Sequence, residues 1–391
     1  MDERVQLNML KQMLKNKIEL EKGLVNKLVN ISGLKSRSSL YKFLNEKDRE
    51  LDNFEGLLDM VRFTFPQQEF EIMDTYLRDV NPNGKTARLS LEYASVNRFN
   101  ELKMFMIEKL KDCQNAVSRE WAKTYEIDQQ VMDGQLSPNE ANIMYDELTL
   151  KTQEMKVVSK VFMIYNYFDM NMIDRCQQVA TFLEDGIAQI KKYSFLRKSL
   201  LCRIGLINMH IGSRDEAIRN GNLVFDNAVS ELTKAVAYHN ISIVYISESY
   251  DVAYSYLTKA LEIYKKHNSS NISSTKQTIN FLQNYWHKEP GFLDFTSNET
   301  FDLHEIAFYY IQKNQNDNAV AILDKINLEK ESHFSKGFHY FYRGLISQRR
   351  EDFFQSVIEF KYANQKMYCH FPLLELRKLG EDELTLKVLE I

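Results

Sequence analysis

The sequence predicts an all-α protein on three observations. Residues that interrupt helices are scarce, since only five prolines and 13 glycines occur among 391 residues. Apolar residues make up 44% of the chain and recur in many places at intervals of three and four, the spacing of one helix face. Similar helical phrases also return along the second half of the chain. Because proline and glycine are the residues that destabilise helix interiors most, helices can form almost everywhere.

Residues 23–45 are predicted to form two short helices joined by a turn. The first helix has an apolar face, and Gly33 can adopt the left-handed backbone that ends it. The residues of that face are Leu24, Leu28 and Ile31. A serine can cap the second helix, at Ser36, Ser38 or Ser39. The inward residues of the second helix would be Leu40, Phe43 and Leu44. This is the plan of a helix-turn-helix, whose second helix enters the major groove of DNA.

The same end of the chain is strongly basic. Eight basic residues, the first Lys11 and the last Lys42, and two acidic residues lie between residues 11 and 44, so this stretch carries +6. The whole chain carries −4, which leaves −10 on the remainder. A basic end on an acidic body is the electrostatic footprint expected of a surface that binds phosphates. The alternative is a plain helical hairpin whose basic face is only solvated.

The predicted contacts with double-stranded DNA lie on and around the second helix of this pair. Cationic side chains would hold phosphates, while residues at the start of the helix would lie near base edges. The phosphate contacts would be Lys35, Arg37 and Lys42, with Lys27 as a further DNA contact. The residues near base edges would be Ser38, Ser39 and Tyr41.

Two more helices complete the predicted N-terminal domain. Residues 1–22 read as a leading polar helix, and residues 53–65 place a run of apolar side chains on one helical face. That face would pack behind the helix pair through Phe54, Leu57, Leu58, Val61 and Phe65. Pro66 ends it, because the residue before a proline is biased out of the helical region. We therefore predict a DNA-binding domain over residues 1–66.

Residues 67–370 are predicted to form helical repeats. Similar phrases recur as SRDEAIRNGNLVF, SYDVAYSYLTKALEI, NDNAVAILDKI and EDFFQSVIEFKYA. Each has a small residue at the same place, with separations of 36, 66 and 37 residues between Ala217, Ala253, Ala319 and Ser356. A period near 34 with a small residue in the second helix indicates a tetratricopeptide-like α-solenoid. Residues 119–160 are placed only as helical connectors, with breaks at 133–134 and at Pro138.

A stack of helix pairs offers a concave surface that suits an extended peptide. Asparagine satisfies a peptide backbone well because it carries both a donor and an acceptor. Candidates at suitable intervals are Asn208, Asn240, Asn280 and Asn284, although any of them could instead cap a helix or lie in a loop. In DLHEIAFYY, the Glu305 carboxylate beside His304 would suit a ligand arginine. The alternative is a solvated glutamate.

The sequence offers no enzymatic chemistry. It contains no glycine-rich phosphate loop, HExxH pair or GxSxG elbow, so no catalytic residue is assigned and no cofactor is expected. The eight histidines are scattered and predict no metal site. The chain lacks an apolar run of the roughly 18 residues needed to span a membrane, and its start does not resemble a signal peptide. Four widely spaced cysteines suggest free thiols in a reducing cytoplasm.

Several phrases resemble the AimR family, the arbitrium peptide receptors of temperate phages that infect Bacillus. The N-terminal phrases are SSLYKFLN and GKTARLSLEYA. Further along are FLQNYW, DLHEIA, HYFYRG and the C-terminal PLLELRKLGEDELTLKVLEI. The resemblance runs from about residue 24 to the end, with a poorly matching middle near 110–200. It implies a cytoplasmic transcription regulator of the bacterial host cell, in the wider peptide-sensing group of Rap, NprR, PlcR and PrgX.

The resemblance also implies partners. Family members bind DNA as homodimers and activate a gene that favours lysis over lysogeny. A phage-encoded peptide, typically of six residues ending Arg-Gly-Ala, binds the repeats and turns activation off. Position by position, Glu305 and His304 would meet the peptide arginine, Asn240 and Asn284 would line the groove, and Asn208 matches only with a shift of one residue.

The C-terminal helices, residues 371–391, would mediate dimerisation in this resemblance. The residues that would form the apolar contact are Leu373, Leu374, Leu384, Leu386 and Leu389. The alternative is that this segment only caps the last repeat, and both roles are compatible. A second functional reading also remains open, in which the chain acts as a Rap-like regulator whose N-terminal helices dock a response regulator protein.

Overall fold

The computed structural model describes residues 6–390, with side chains from Met9 onward, and within this range it contains helices and no β-strand. The predicted all-α class is confirmed. The α-helices are α1 (Gln6–Leu20), α2 (Leu24–Ser32), α3 (Arg37–Asn45), α4 (Phe54–Thr64), α5 (Glu69–Asp79), α6 (Lys85–Val96), α7 (Asn100–Lys111), α8 (Ala116–Met132), α9 (Pro138–Glu147), α10 (Gln153–Asp169), α11 (Ile173–Ala188), α12 (Ser194–Ile211), α13 (Arg214–Asn227), α14 (Glu231–Tyr245), α15 (Tyr250–Lys266), α16 (Asn271–Tyr285), α17 (Thr300–Gln312), α18 (Asn316–Leu323), α19 (His333–Ser347), α20 (Arg350–Tyr362), α21 (Lys366–Lys378) and α22 (Glu383–Glu390). A short 3-10 helix, Leu328–Lys330, lies between α18 and α19.

The described chain divides into two compact units. The first contains the residues up to 166 together with 178–200, and the second contains 167–177 together with 201–390. Their borders fall inside α10, α11 and α12. The boundaries predicted at residues 66 and 370 stay predictions. No helix in the described range is long and apolar enough to cross a bilayer.

The helix pair α2 and α3 forms as the sequence predicts. Gly33 has a φ of 65° and ends α2, and the Ser36 side chain accepts a hydrogen bond from the backbone N–H of Ser39 to cap α3. Ile31 is only partly buried. The fully buried apolar residues of the pair are Leu24, Leu28, Leu40, Phe43 and Leu44. Local capping and apolar spacing are therefore enough to define this element.

Helix α4 packs against the end of α2 at very short range. The Asn53 side chain donates a hydrogen bond of 2.8 Å to the Ser32 carbonyl, one of the carbonyls left unpaired at the end of α2. Gly56 lies beside it, and a Cβ built at Gly56 would stand 2.2 Å from the Ser32 carbonyl oxygen. Only glycine permits this approach.

In the second unit, consecutive helices pack as pairs, among them α14 with α15 and α19 with α20. The four small residues that the repeat pattern picked out are all completely buried, which confirms their role at the contacts between helices. They are Ala217, Ala253, Ala319 and Ser356. Gly337 and Gly344 of α19 allow the rings of Phe360 and Phe353 on α20 to approach closely.

The segment that the sequence left as connectors contains three well-formed helices, α8, α9 and α10. Gly134 has a φ of 70° in the turn between α8 and α9. Ser137 then starts α9 with a capping box, in which its side chain and that of Glu140 exchange hydrogen bonds with each other's backbone, and Pro138 occupies the first position. The predicted breaks are therefore the ends of helices.

We expect Gly56→Ala to lower the melting temperature. Alanine favours helices by about 1 kcal/mol over glycine, but the new Cβ meets a backbone carbonyl that cannot move aside without shifting α2. Overpacking of this kind typically costs about 1–3 kcal/mol. Gly291→Ala is the matched control, because its Cβ would meet only the Gln283 side chain at 3.8 Å. Equal melting temperatures for the two variants, measured by calorimetry, would contradict the close packing.

Candidate functional site

The predicted DNA contacts lie on the solvent side of α2, α3 and the turn between them. Every one of them is exposed except Ser39, which is half-buried beneath the helix start. Arg37 connects the two helices, since its Nε donates a hydrogen bond of 2.6 Å to the Asn26 side chain. Lys27 forms an exposed ion pair with Glu21 at 2.9 Å. The surface is thus cationic along two helices held in a fixed relation.

One basic residue of this end does not belong to that surface. Lys11 is 2% exposed, and its ammonium donates to the carbonyls of Glu46, Lys47 and Arg49 at distances of 2.8, 3.0 and 2.9 Å. Burial lowers its pKa. Counting Lys11 in the phosphate footprint was therefore wrong, because it satisfies carbonyls just beyond the end of α3.

The second unit contains a cavity of about 280 Å³. It is lined by residues of six helices, α12, α14, α16, α17, α19 and α21, and by the residue that precedes α21. Its polar lining is supplied mainly by histidine, asparagine, threonine and glutamate, and its apolar lining by phenylalanine. The lining residues are His210, His239, Asn240, Ile243, Ser274, Gln277, Thr278, Phe281, Phe301, His304, Glu305, Phe334, Phe338, Gln365 and Tyr368.

Three of the five predicted peptide-binding residues line this cavity, namely Asn240, His304 and Glu305. Asn284 lies directly behind it and is hydrogen-bonded to Glu305. Asn208 does not line it. A helix turns by about 200° over two residues, so His210 faces the cavity and Asn208 points elsewhere.

The spacing of asparagines did not predict the roles of His210 and Asn280. The Nε2 atom of His210 lies 3.0 Å from the Asn240 side-chain nitrogen, so the imidazole can accept its hydrogen bond. Asn280 is 1% exposed, and its side chain accepts a hydrogen bond of 3.0 Å from the backbone of Phe292. It therefore anchors the loop after α16 from inside that helix, a role that differs both from groove lining and from the alternatives of a cap or a loop position.

Glu305 is the most unusual group in the cavity. It is 6% exposed, which excludes the alternative of a solvated glutamate. Its Oε1 accepts a hydrogen bond of 2.9 Å from the Tyr342 hydroxyl, and its Oε2 accepts one of 3.0 Å from the Asn284 side chain. Burial nevertheless raises the pKa of Glu305 to about 8. Near neutral pH the free protein therefore holds this carboxyl mainly as the neutral acid.

The histidines of the cavity are held neutral. Burial lowers the pKa of His304 to about 3, helped by the nearby His339, and lowers the pKa of His210 and of His239 to about 4. His304 is 1% exposed and neither of its ring nitrogens has a hydrogen-bond partner. The Oδ1 atom of Asn284 is also buried without a partner. Such atoms are costly unless a ligand or a water satisfies them.

A larger cavity of about 600 Å³ lies elsewhere in the second unit, lined partly by α21 and α22. It contains none of the predicted peptide-binding residues. Two of the predicted dimerisation residues, Leu373 and Leu389, line it. Its size alone therefore does not make it the ligand site.

The C-terminal leucines divide between this chain's own core and its surface. Leu373 and Leu386 are 3% and 0% exposed and belong to the core of the second unit. Leu374 and Leu389 are half-buried, and Leu384 is 73% exposed. A second subunit would therefore find mainly Leu384 and, on the same helix, Val388. Leu373 and Leu386 therefore pack within their own chain, which is the capping role given as the alternative.

Neither unit offers an arrangement for a metal among its described residues, since no group of three or more histidine, cysteine, aspartate or glutamate side chains is placed to hold one. The four cysteines are buried. The chemistry of the cavity is that of non-covalent binding, by a carboxyl that can ionise, neutral imidazoles and aromatic walls.

The family comparison agrees with this architecture. A family model described as "AimR transcriptional regulator-like" matches residues 69–378. The chain belongs to the AimR family. The AimR transcriptional regulator of Bacillus phage phi3T is 28% identical over 384 residues, and the match covers 97% of this chain and 100% of the relative. The AimR transcriptional regulator of Bacillus phage SPbeta is 27% identical over 388 residues, covering 98% and 100%.

Two solved structures are similar over most of the chain. The structure of SeMet-phAimR matches with a TM-score of 0.81 and 29% identity, and covers 98% of this chain and 100% of its own. The structure of phAimR-Ligand matches with a TM-score of 0.69 and 28% identity, and covers 85% and 99%. The AimR relatives are thus named as transcriptional regulators rather than enzymes, and one structural neighbour binds a ligand.

We expect the stability of the wild-type protein to fall, relative to that of Glu305→Gln, as pH rises from about 4.5 to about 8. The folded state keeps the Glu305 proton in this window, whereas the unfolded chain has lost it, so each step up in pH favours unfolding. The melting temperatures of both variants should be measured from pH 5 to pH 8.5. The buried histidines are common to both, so their effects cancel in the difference. A difference that does not change with pH would show that Glu305 is ionised in the folded protein.

Proposed function

We propose that this protein is a peptide-regulated, DNA-binding transcription regulator of a phage lysis-lysogeny decision. In this proposal it acts as a homodimer in the cytoplasm of the bacterial host, and a short arginine-containing peptide abolishes its binding to the operator. The proposal of a peptide ligand is supported mainly by Glu305, whose carboxyl is buried in a cavity beside polar atoms that have no hydrogen-bond partner. The comparison with AimR regulators supports the transcriptional half.

A guanidinium suits this cavity electrostatically. The neutral acid of Glu305 can lose its proton when a cation enters, since the charge is then paired in surroundings of low dielectric constant. Arginine is favoured over lysine because its planar fork reaches a carboxylate and a neighbouring acceptor together and stacks on aromatic rings. Phe301, Phe334 and Phe338 supply such rings around the cavity. A hexapeptide ending Arg-Gly-Ala fits this chemistry.

The proposed DNA surface is the exposed face of α2 and α3. Its cations, Lys35, Arg37 and Lys42, follow one another around the start and outer side of α3, where they would straddle the groove and hold phosphates. Tyr41 is 43% exposed on the same helix, which leaves its ring and hydroxyl free to approach base edges. Lys11 is excluded, because its ammonium already serves three carbonyls.

The proposed coupling is a shift in population. The cavity is built from six helices, so a ligand that contacts several of them stabilises one arrangement of the repeats over others. A homodimer that reads two half-sites needs both DNA-binding ends in the correct geometry. Losing that geometry would remove the gain in affinity that the second contact provides.

We expect Lys42→Ala to weaken binding to duplexes from the neighbouring phage DNA and to reduce the slope of log affinity against log salt by about one. Lys325→Ala is the control, since Lys325 is an exposed lysine of the second unit and the variant has the same net charge. Fluorescence anisotropy at several salt concentrations measures both. If the wild-type protein shows no salt-dependent binding to any duplex, the hypothesis of DNA binding fails. The alternative, a Rap-like regulator that docks a response regulator through this face, then takes its place.

We expect Glu305→Gln to weaken binding of an N-acetylated hexapeptide ending Arg-Gly-Ala by at least about tenfold at pH 8, because the amide cannot become an anion. The substitution is mild for folding, since the carboxyl is already mainly neutral near pH 7. Isothermal titration calorimetry measures the affinity. Wild-type affinity should rise from pH 6 to pH 8, because less free energy is then needed to remove the Glu305 proton.

Glu262→Gln is the matched control for this measurement, because Glu262 is an exposed glutamate in α15. The Glu305 variant should also keep its DNA affinity but no longer lose it when peptide is added. Unchanged peptide affinity in Glu305→Gln would refute the assignment of the arginine to this carboxyl. If peptide does not change the DNA affinity of the wild-type protein, the proposed peptide ligand is wrong, while the proposed DNA binding stands.

A further inference from the structure

Glu305 is held by a residue that does not itself line the cavity. Tyr342 of α19 donates its hydroxyl hydrogen bond to Oε1 of Glu305 at 2.9 Å. Tyr342 is 0% exposed and is absent from the cavity wall. A bound ligand would therefore meet Glu305 and not Tyr342.

The Tyr342 ring cannot easily turn its hydroxyl elsewhere. It stacks on Phe308 with ring centroids 4.8 Å apart and contacts Phe338 at 5.9 Å and His304 at 6.0 Å. The surroundings of the hydroxyl are thus aromatic and desolvated. Glu305 is the partner that satisfies this hydroxyl, which is expensive to leave unpaired in such a place.

Hydrogen bonds from the protein reach both carboxyl oxygens of Glu305. Asn284 donates to Oε2 from α16, and its same amide nitrogen also donates to the Glu305 backbone carbonyl at 3.0 Å. Each carboxyl oxygen has therefore received one donor from the protein and keeps capacity for another. The remaining capacity faces the cavity that Glu305 lines.

We propose that Tyr342 is a positioning residue for ligand binding: it fixes the Glu305 carboxyl against the cavity and sets the pH at which that carboxyl accepts a cationic ligand. This inference rests on the proposed function, since it concerns how the same cavity takes a guanidinium. Its physical basis is that a hydrogen bond donated to a carboxylate favours the charged form. Without the hydroxyl, one of the hydrogen bonds that oppose the effect of desolvation is lost, so the pKa of Glu305 should rise further.

Other titratable groups around Glu305 do not interfere in the useful pH range. The charge of Asp302 on the same helix adds a small contribution that raises the pKa of Glu305. The neighbouring histidines are neutral above about pH 5, and burial raises the pKa of both tyrosines above that of a free phenol. The groups concerned are Asp302, His304, His339, Tyr342 and Tyr368, with His210 and His239 across the cavity.

The test compares the pH dependence of peptide affinity in full-length wild type and Tyr342→Phe. The probe is the N-acetylated hexapeptide ending Arg-Gly-Ala, because acetylation removes an amino group that would titrate in the same range. Between pH 6 and pH 9.5, the midpoint of the affinity rise should move up by about one unit in Tyr342→Phe. At pH 7 this is an affinity loss of about tenfold. A merely structural role would lower affinity equally at every pH.

Two controls separate the role of the hydroxyl from general damage. Tyr340→Phe removes the hydroxyl of a half-buried tyrosine two residues away on α19, about 200° around the helix from Tyr342, and should leave the midpoint unchanged. In a Glu305→Gln background, Tyr342→Phe should have no further effect on affinity, because Tyr342 acts through the carboxyl. An effect of equal size in both backgrounds would overturn the proposal.

A second variant keeps the test decisive if Tyr342→Phe does not fold. Fluorotyrosine placed at position 342 keeps the ring and strengthens the hydroxyl as a donor, so the midpoint should move down. An unchanged midpoint in either folded variant refutes the positioning role. If wild-type protein does not bind the peptide at any pH, the proposed function itself has failed, which is a different result.

Discussion

A carboxyl group out of contact with water constrains the whole second unit. Glu305 is stable at its site only as a neutral acid or as an anion paired with a cation, because an isolated buried charge is prohibitively costly. Tyr342 and Asn284 hold its side chain in place by hydrogen bonds, and the stacking of Tyr342 on Phe308 fixes the position of the tyrosine. The proposed ligand site is therefore preformed, and its carboxyl stays mainly neutral near pH 7 unless a cation pairs with it.

That site exists because neighbouring helices approach closely. Small residues at Ala253, Ala319 and Ser356, and glycines at 337 and 344, let the helices of each pair pack with little between them. Close pairs bring residues from α12, α14, α16, α17, α19 and α21 around one cavity. The same physical device operates in the first unit, where Gly56 lets α4 meet the end of α2. Replacing either kind of small residue would move a functional surface without touching it.

The two proposed sites differ in how much they depend on packing. The DNA-facing residues need only the short helices α2 and α3, whose caps and apolar faces are local features. The peptide cavity gathers side chains separated by more than 150 residues in the chain, from His210 to Tyr368. Its pKa values and unpaired atoms arise from that gathering. This explains why the sequence could define the helices of the first proposed site, but could name only some of the residues that line the second.

The sequence by itself determined the all-helical class, the end of α2, the capped start of α3, the break at Pro138 and the small residues between repeat helices. These features follow from local backbone preference and apolar period. It also selected Glu305 and Asn240. Only the tertiary structure decided that Lys11 is buried under three carbonyls, that His210 rather than Asn208 faces the cavity, and that Glu305 is desolvated. Burial and charge state depend on residues far away in the chain, and periodicity within one helix contains no information about them.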